Sequence, residues 1–184
     1  MRLSTLVLVA AGAAVLVIIY RRGKTMARLS TNFLDSEFAS RGRPLLLSTV
    51  DAYRALAAGP LEYARAAAAQ VAGEPVRAVV SSGQRLLDHN NEVDGKGGSY
   101  HLPPELRAGP SRRNPGVAAD VYFARIESGA RLSGPEHAEV ARLVVRGMES
   151  GAITKGGVHA YHTQPGATKL PFVHIDSRGY VASW

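Results

Sequence analysis

Val117-Ala118-Ala119-Asp120-Val121-Tyr122-Phe123 and Phe172-Val173-His174-Ile175-Asp176 are the two segments whose reading decides the fold. Both are rich in β-branched and aromatic residues and read as strands. Each also sets an ionisable side chain among apolar neighbours. A carboxylate or imidazole placed there loses hydration, a cost that must be offset by a polar partner or a metal ion. His101, which follows Gly97-Gly98-Ser99-Tyr100 at the mouth of a loop, is a third candidate. Two histidines and one aspartate supply three ligands and leave a fourth position for water, as a catalytic zinc requires. Ordinary polar residues at strand ends would show the same spacing, so spacing alone leaves both readings open.

Outward from these strands, Val76 to Ser81 is another β-branched run, and Gly157–Tyr161 reads as a further short strand. The Ala-rich stretch Ser48–Ala72 predicts two helices separated at Gly59-Pro60. Ser133 to Ser150 predicts a helix capped by Ser133, with Pro135 early and Val140, Leu143, Val144 and Met148 as its apolar stripe. Asp35 or Ser36 is placed to cap a short helix carrying Glu37 and Phe38. Residues 102–116, LPPELRAGPSRRNPG, read as a loop. His137 reads as a solvated helix residue and His89 as part of a loop or helix end.

The 184 residues suit one domain with a small appendage. Hydrophobic residues at 46% and charged residues at 20% exclude wholesale disorder. There is no cysteine, which excludes a disulfide scaffold, a cysteine zinc finger and a thiol nucleophile. Any metal must therefore be held by His and carboxylate. Lys plus Arg number 22 against 15 Asp plus Glu, a net +7, which suits an anionic partner. Specific nucleic-acid binding is poorly supported, because the cations are spread through loops with no aromatic platform between them.

The appendage is residues 1–28. Leu3 to Tyr20 carries no charge and is followed by Arg21, Arg22 and Lys24. As a helix it would extend about 27 Å, just enough to cross a hydrocarbon core. A single N-terminal transmembrane helix is the expectation; a cleaved signal peptide and a buried helix are the alternatives. The cations after the run favour a cytoplasmic C-terminal part, and Met26 offers an internal start giving a soluble form.

Five short words occur in order along residues 29–184: Ser82-Gly83-Gln84-Arg85; His89-Asn90; Ser99-Tyr100-His101 with Gly116-Val117-Ala118-Ala119-Asp120; Gly156-Gly157-Val158; and Phe172-Val173-His174-Ile175-Asp176. Together they resemble the M15 peptidases, the zinc D-Ala-D-Ala carboxypeptidases and related murein endopeptidases, including phage endolysins. Leu29-Ser30-Thr31-Asn32-Phe33 and the terminal Trp184 after Arg178 are similar to the ends of that domain. The resemblance implies an α+β fold, a small antiparallel sheet with flanking helices. It implies His101, Asp120 and His174 as zinc ligands, and Arg85 as the arginine that stabilises an oxyanion or binds a substrate carboxylate. The implied reaction is hydrolysis of a peptide bond in the peptidoglycan stem or cross-bridge.

Four departures stand out. The first His and the Asp are seven apart in the family pattern but 19 apart here, which places an insertion in the Pro-rich loop at about 102–115. Arg107, Arg112 and Arg113 make that loop basic, suited to gripping an anionic glycan strand or blocking the cleft. Gln84 replaces an aromatic, and His159 stands where the pattern has glycine. The general base is missing from its usual position, now Phe172 and Pro171, which leaves His162 and Asp176 as candidates; Asp176 is alternatively a partner of a ligand histidine. The alternative to a peptidase is a catalytically weak or inactive cell-wall-binding or virion structural protein reusing the fold.

A wall substrate and a cytoplasmic C-terminal part conflict for a host-anchored protein; a phage setting, with virion proteins as partners and a virion membrane, would remove the conflict. If the domain works on the wall from a host membrane, protease added to intact expressing cells digests residues 29–184. Full protection of that domain would exclude the wall role for host-anchored protein.

Overall fold

The structure is a computed structural model that describes residues 6–11, 14–19, 27–41, 43–93 and 97–184. Leu6–Ala11 (β1) and Ala14–Ile19 (β2) pair as antiparallel strands, with Leu6 opposite Ile19 and Ala11 opposite Ala14. These segments are therefore extended, in place of the transmembrane helix expected over Leu3–Tyr20. Val7, Val9, Val15, Val17, Ile18 and Ile19 are residue types that fit a pleated strand. The rest of that run, with Arg21, Arg22, Lys24 and Met26, lies outside the described residues. No helix among the described residues is long and apolar enough to cross a membrane.

From residue 27 the chain is α+β. A single 3-10 turn at Asp35–Phe38 is closed by Glu37, whose carboxylate accepts the Leu34 N–H at 2.6 Å; neither Asp35 nor Ser36 is the cap. Leu47–Leu56 (α1) and Glu62–Ala72 (α2) are not broken at Gly59-Pro60 but joined through a π-helical segment, Ala57–Leu61. There the Glu62 N–H reaches back to the Ala57 carbonyl, and the widened turn takes the proline ring. Val76–Ser82 (β3) leads to the short helix Leu87–Glu92 (α3), which holds His89. The Pro-rich loop contains two 3-10 turns, Pro104–Leu106 and Gly109–Arg113. Ala118–Arg125 (β4), Gly134–Glu149 (α4), Gly157–Tyr161 (β5), Phe172–Asp176 (β6) and Ala182–Ser183 (β7) complete the chain.

The five strands lie in the order β3-β4-β6-β5-β7, antiparallel throughout except for the parallel β5/β7 pair. Alternation along them separates two faces. Ala119, Val121 and Phe123, with Val173, Ile175 and Val158, belong to the core together with Tyr53, Leu56 and Leu61 from the first helices. Val140, Val144 and Met148 of α4 join that core, while Leu143 packs on its edge. The intervening positions, Asp120, His174 and His159, fall on the opposite face. The register aligns them in one row, Asp120 opposite His174 and His174 opposite His159.

α4 begins with a capping box: Ser133 Oγ accepts the Glu136 N–H, and the Glu136 carboxylate accepts the Ser133 N–H. His137, expected in solvent, is wholly buried. Its Nδ1 faces the Ser133 carbonyl at 2.9 Å, while Nε2 accepts the Phe123 N–H at 3.3 Å, so the neutral ring links α4 to β4. Burial lowers its pKa. The unfolded chain then binds a proton that the folded chain resists, so stability from this group is full above about pH 6.5 and declines as the pH falls below it. In urea unfolding at fixed ionic strength, His137→Gln should flatten the loss of stability between about pH 7 and pH 5.

Candidate metal centre

Three ligand atoms converge above the sheet. Asp120 and His174 come from adjacent strands in direct register, and His101 comes from the turn after Ser99. His101 Nε2 lies 3.2 Å from Asp120 Oδ1 and 3.3 Å from His174 Nδ1, and His174 Nδ1 lies 2.8 Å from Asp120 Oδ1. Four-coordinate zinc with bonds of about 2.0–2.1 Å needs ligand atoms about 3.4 Å apart, close to the two separations from His101 Nε2, while His174 Nδ1 and Asp120 Oδ1 stand at the shorter distance of a hydrogen bond. His101 and Asp120 are buried and His174 nearly so, and the three form a group that can hold a metal ion.

The outer side of each ligand is already committed. His101 Nδ1 faces the Gly83 carbonyl at 2.7 Å, which places its proton there and leaves the Nε2 lone pair facing inward. His174 Nε2 faces Asp176 Oδ2 at 3.4 Å, which likewise favours a proton on Nε2 and a lone pair on Nδ1. Arg85 Nη2 donates to Asp120 Oδ2 at 2.9 Å, leaving Oδ1 inward. Two imidazole lone pairs and a carboxylate oxygen thus point at one another, a donor set that fits a cation.

Titration follows this arrangement. Burial lowers the His101 pKa. Burial also works against a charged His174, but its bonds to Asp120 and Asp176 prevail and raise its pKa. For Asp120, burial is outweighed by His101 and His174, which hold the carboxyl far below the usual range; His174 and Arg178 do the same for Asp176.

Two glycines make the geometry possible. A Cβ on Gly83 would lie 2.5 Å from Phe38 Cα, so only glycine lets that backbone approach and present its carbonyl to His101. A Cβ on Gly157 would lie 2.6 Å from Asp176 Oδ2, whereas the Gly157 N–H instead donates to Asp176 Oδ1 at 2.9 Å.

Of the residues expected to carry the chemistry, His101, Asp120, His174, Arg85 and Asp176 are brought together. Asp176 is fully buried behind His174, also accepting from the Arg178 backbone and guanidinium, so it faces a ligand rather than the cleft. His162 lies just after β5 with φ +56°, its ring edge-on to Phe172, and is not among the cleft-lining residues. His159 stacks on Trp184, rings 2° from coplanar. Gln84 is buried, its Oε1 accepting from Leu46 N–H and Thr49 Oγ, so it anchors the start of α1. Arg107 is buried too, so of the three loop arginines only Arg112 and Arg113 are exposed.

The ligands open onto a cleft of about 840 Å³, a size within the usual range for ligand sites. Its walls include Tyr100, Tyr161, Phe172, Arg178 and Trp184, which the motifs did not single out as lining. Arg178 lies over the Trp184 ring at 4.7 Å, and the Trp184 indole donates to Tyr161 Oη at 3.3 Å.

No family model, curated protein or solved structure matches this chain.

Replacing Asp176 by Asn keeps an acceptor for the Gly157 N–H but removes the charge behind His174. Divalent-metal affinity, measured by equilibrium dialysis with elemental analysis, is expected to fall by about 10–100-fold.

Proposed function

We propose that this protein is a zinc-dependent peptidase acting on peptide bonds of the peptidoglycan stem or cross-bridge. The observation that carries the reading is the inward triangle of His101, Asp120 and His174 opening onto a cleft that Arg85 also lines. The ordered words shared with the M15 peptidases supply the substrate class. A zinc ion held there would polarise the scissile carbonyl and acidify an attacking water.

The chain's own groups divide the remaining work. Arg85, anchored through Nε to Ser82 Oγ at 2.9 Å and through Nη2 to Asp120, presents its fork to the cleft, where it would bind a developing oxyanion or a substrate carboxylate. Asp176 holds the His174 ring in orientation and favours the tautomer with Nδ1 free. The aromatic wall of Tyr161, Phe172 and Trp184 would pack against the peptide and exclude water. The setting that follows is a cell envelope or a virion, with the apolar amino-terminal stretch as a point of membrane attachment.

One observation favours a second reading. Among the described cleft-lining residues, the titratable groups besides the three ligands are Arg85, Arg178, Tyr100 and Tyr161, with no further carboxylate or imidazole to accept a proton. A metal-binding, cell-wall-binding or virion structural protein without turnover would have such a cleft.

Release of new amino groups from purified peptidoglycan separates the two. Zinc-dependent release is expected, abolished by His174→Ala and reduced about 10²–10³-fold by Arg85→Ala. Bound zinc with no release establishes the binding protein instead, and absence of bound metal refutes the site.

A further inference from the structure

Arg107 is 3% exposed, yet its guanidinium is bonded to main-chain carbonyls rather than to a carboxylate. Nε donates to Leu102 O at 2.7 Å. Nη1 donates to Asn114 O at 2.7 Å and Ser111 O at 3.4 Å, and Nη2 donates to Tyr100 O at 3.3 Å and to Gly116 O. The guanidinium also lies 4.6 Å from the centre of the Tyr100 ring.

The placement of these carbonyls is specific. Tyr100 and Leu102 flank the ligand His101 on both sides. Asn114 and Gly116 open the run into β4, which delivers the ligand Asp120. The same loop is tied to the segment after the third ligand: Asn114 Nδ2 donates to Arg178 O at 2.7 Å, and Ser177 Oγ accepts the Val117 N–H at 2.9 Å. A planar fork with five donors can hold both ends of the loop at once, which a lysine ammonium cannot do.

We infer that Arg107 is a positioning residue for the metal centre: it closes the 102–115 loop and so sets the distance between His101 and Asp120. This rests on the metal-binding reading of the site. The loop is then a brace beneath the cleft rim, and its buried arginine is withdrawn from any glycan.

Zinc dissociation constants of the full chain, measured by chelator competition with each variant confirmed folded by circular dichroism, test this. Arg107→Lys is expected to weaken zinc binding about tenfold or more, and Asn114→Ala to weaken it in the same direction. Arg112→Ala with Arg113→Ala, on the exposed side of the same loop, should leave it unchanged. Met148→Ala controls for general destabilisation: it opens a cavity in the core and should leave zinc affinity intact. Unchanged affinity in folded Arg107→Lys, or equal weakening in Met148→Ala, overturns the inference while the metal centre stands. If Arg107→Lys does not fold, Arg107→Gln, which keeps hydrogen-bond donors but lacks the five-donor fork, decides in the same way. A wild-type chain that binds no zinc overturns the metal reading itself, and the inference with it.

Discussion

The pairing of β4 with β6 is the constraint on which the site depends. Asp120 lies opposite His174 because Val121 pairs with Val173 and Ala119 with Ile175. Those flanking residues face the helices and are wholly buried. Sliding one strand by a single residue would turn its ionisable side chain into the core and its core residues outward. Burial of Val121, Val173 and Ile175 stabilises by roughly 1.5–3 kcal/mol each, so packing on the helical side of the sheet enforces the chemistry on the other.

Rigidity at the centre comes from outside it. Hydrogen-bond contacts of His174 and His101 with Asp120 Oδ1, at 2.8 and 3.2 Å, draw the three together but do not by themselves fix the orientation of the rings. A glycine carbonyl, an arginine and a buried aspartate hold the outer edges of the ligands, and each of these is itself fixed. Gly83 is packed on Phe38, Arg85 is bonded to Ser82, and Asp176 is clasped by Gly157 and Arg178. The orientation of the cluster is thus paid for by backbone approach and charge pairing in the surrounding layer rather than by the ligands themselves.

Much of this was legible in the chain. Gly157–Tyr161 and Phe172–Asp176 form strands over the residues read for them: the second alternates Val173 and Ile175 with polar residues directly after Pro171, and the first carries Val158 and Tyr161 directly after Gly156. Asp120 and His174 stood out as polar residues inside apolar strands, whereas His101, in a turn, was joined to them through the resemblance to the M15 peptidases. The positions that escaped reading are those whose local signal is overridden by distant contacts. His137 looks like any helix surface residue until the Phe123 N–H is found beneath it. Arg107 sits in a polar, proline-rich loop whose folding depends on carbonyls brought together from both of its ends. The amino-terminal apolar run is ambiguous by nature, since its valines and isoleucines suit an extended chain as well as a lipid-facing helix.

The π-helical segment between α1 and α2 has a consequence for how this chain tolerates change in length. A π turn absorbs one more residue than an α turn, and Ala57–Leu61 carries that surplus at Gly59-Pro60. Because successive helical residues are separated by about 100° of rotation, losing one residue there would swing the whole of α2 by that angle. Ala64, Ala67 and Ala68 would leave the core and the charged side of α2 would turn toward it. The bulge therefore acts as a phase adjuster between two helices, so the length of the segment matters to the fold as well as its buried residues Ala57, Pro60 and Leu61.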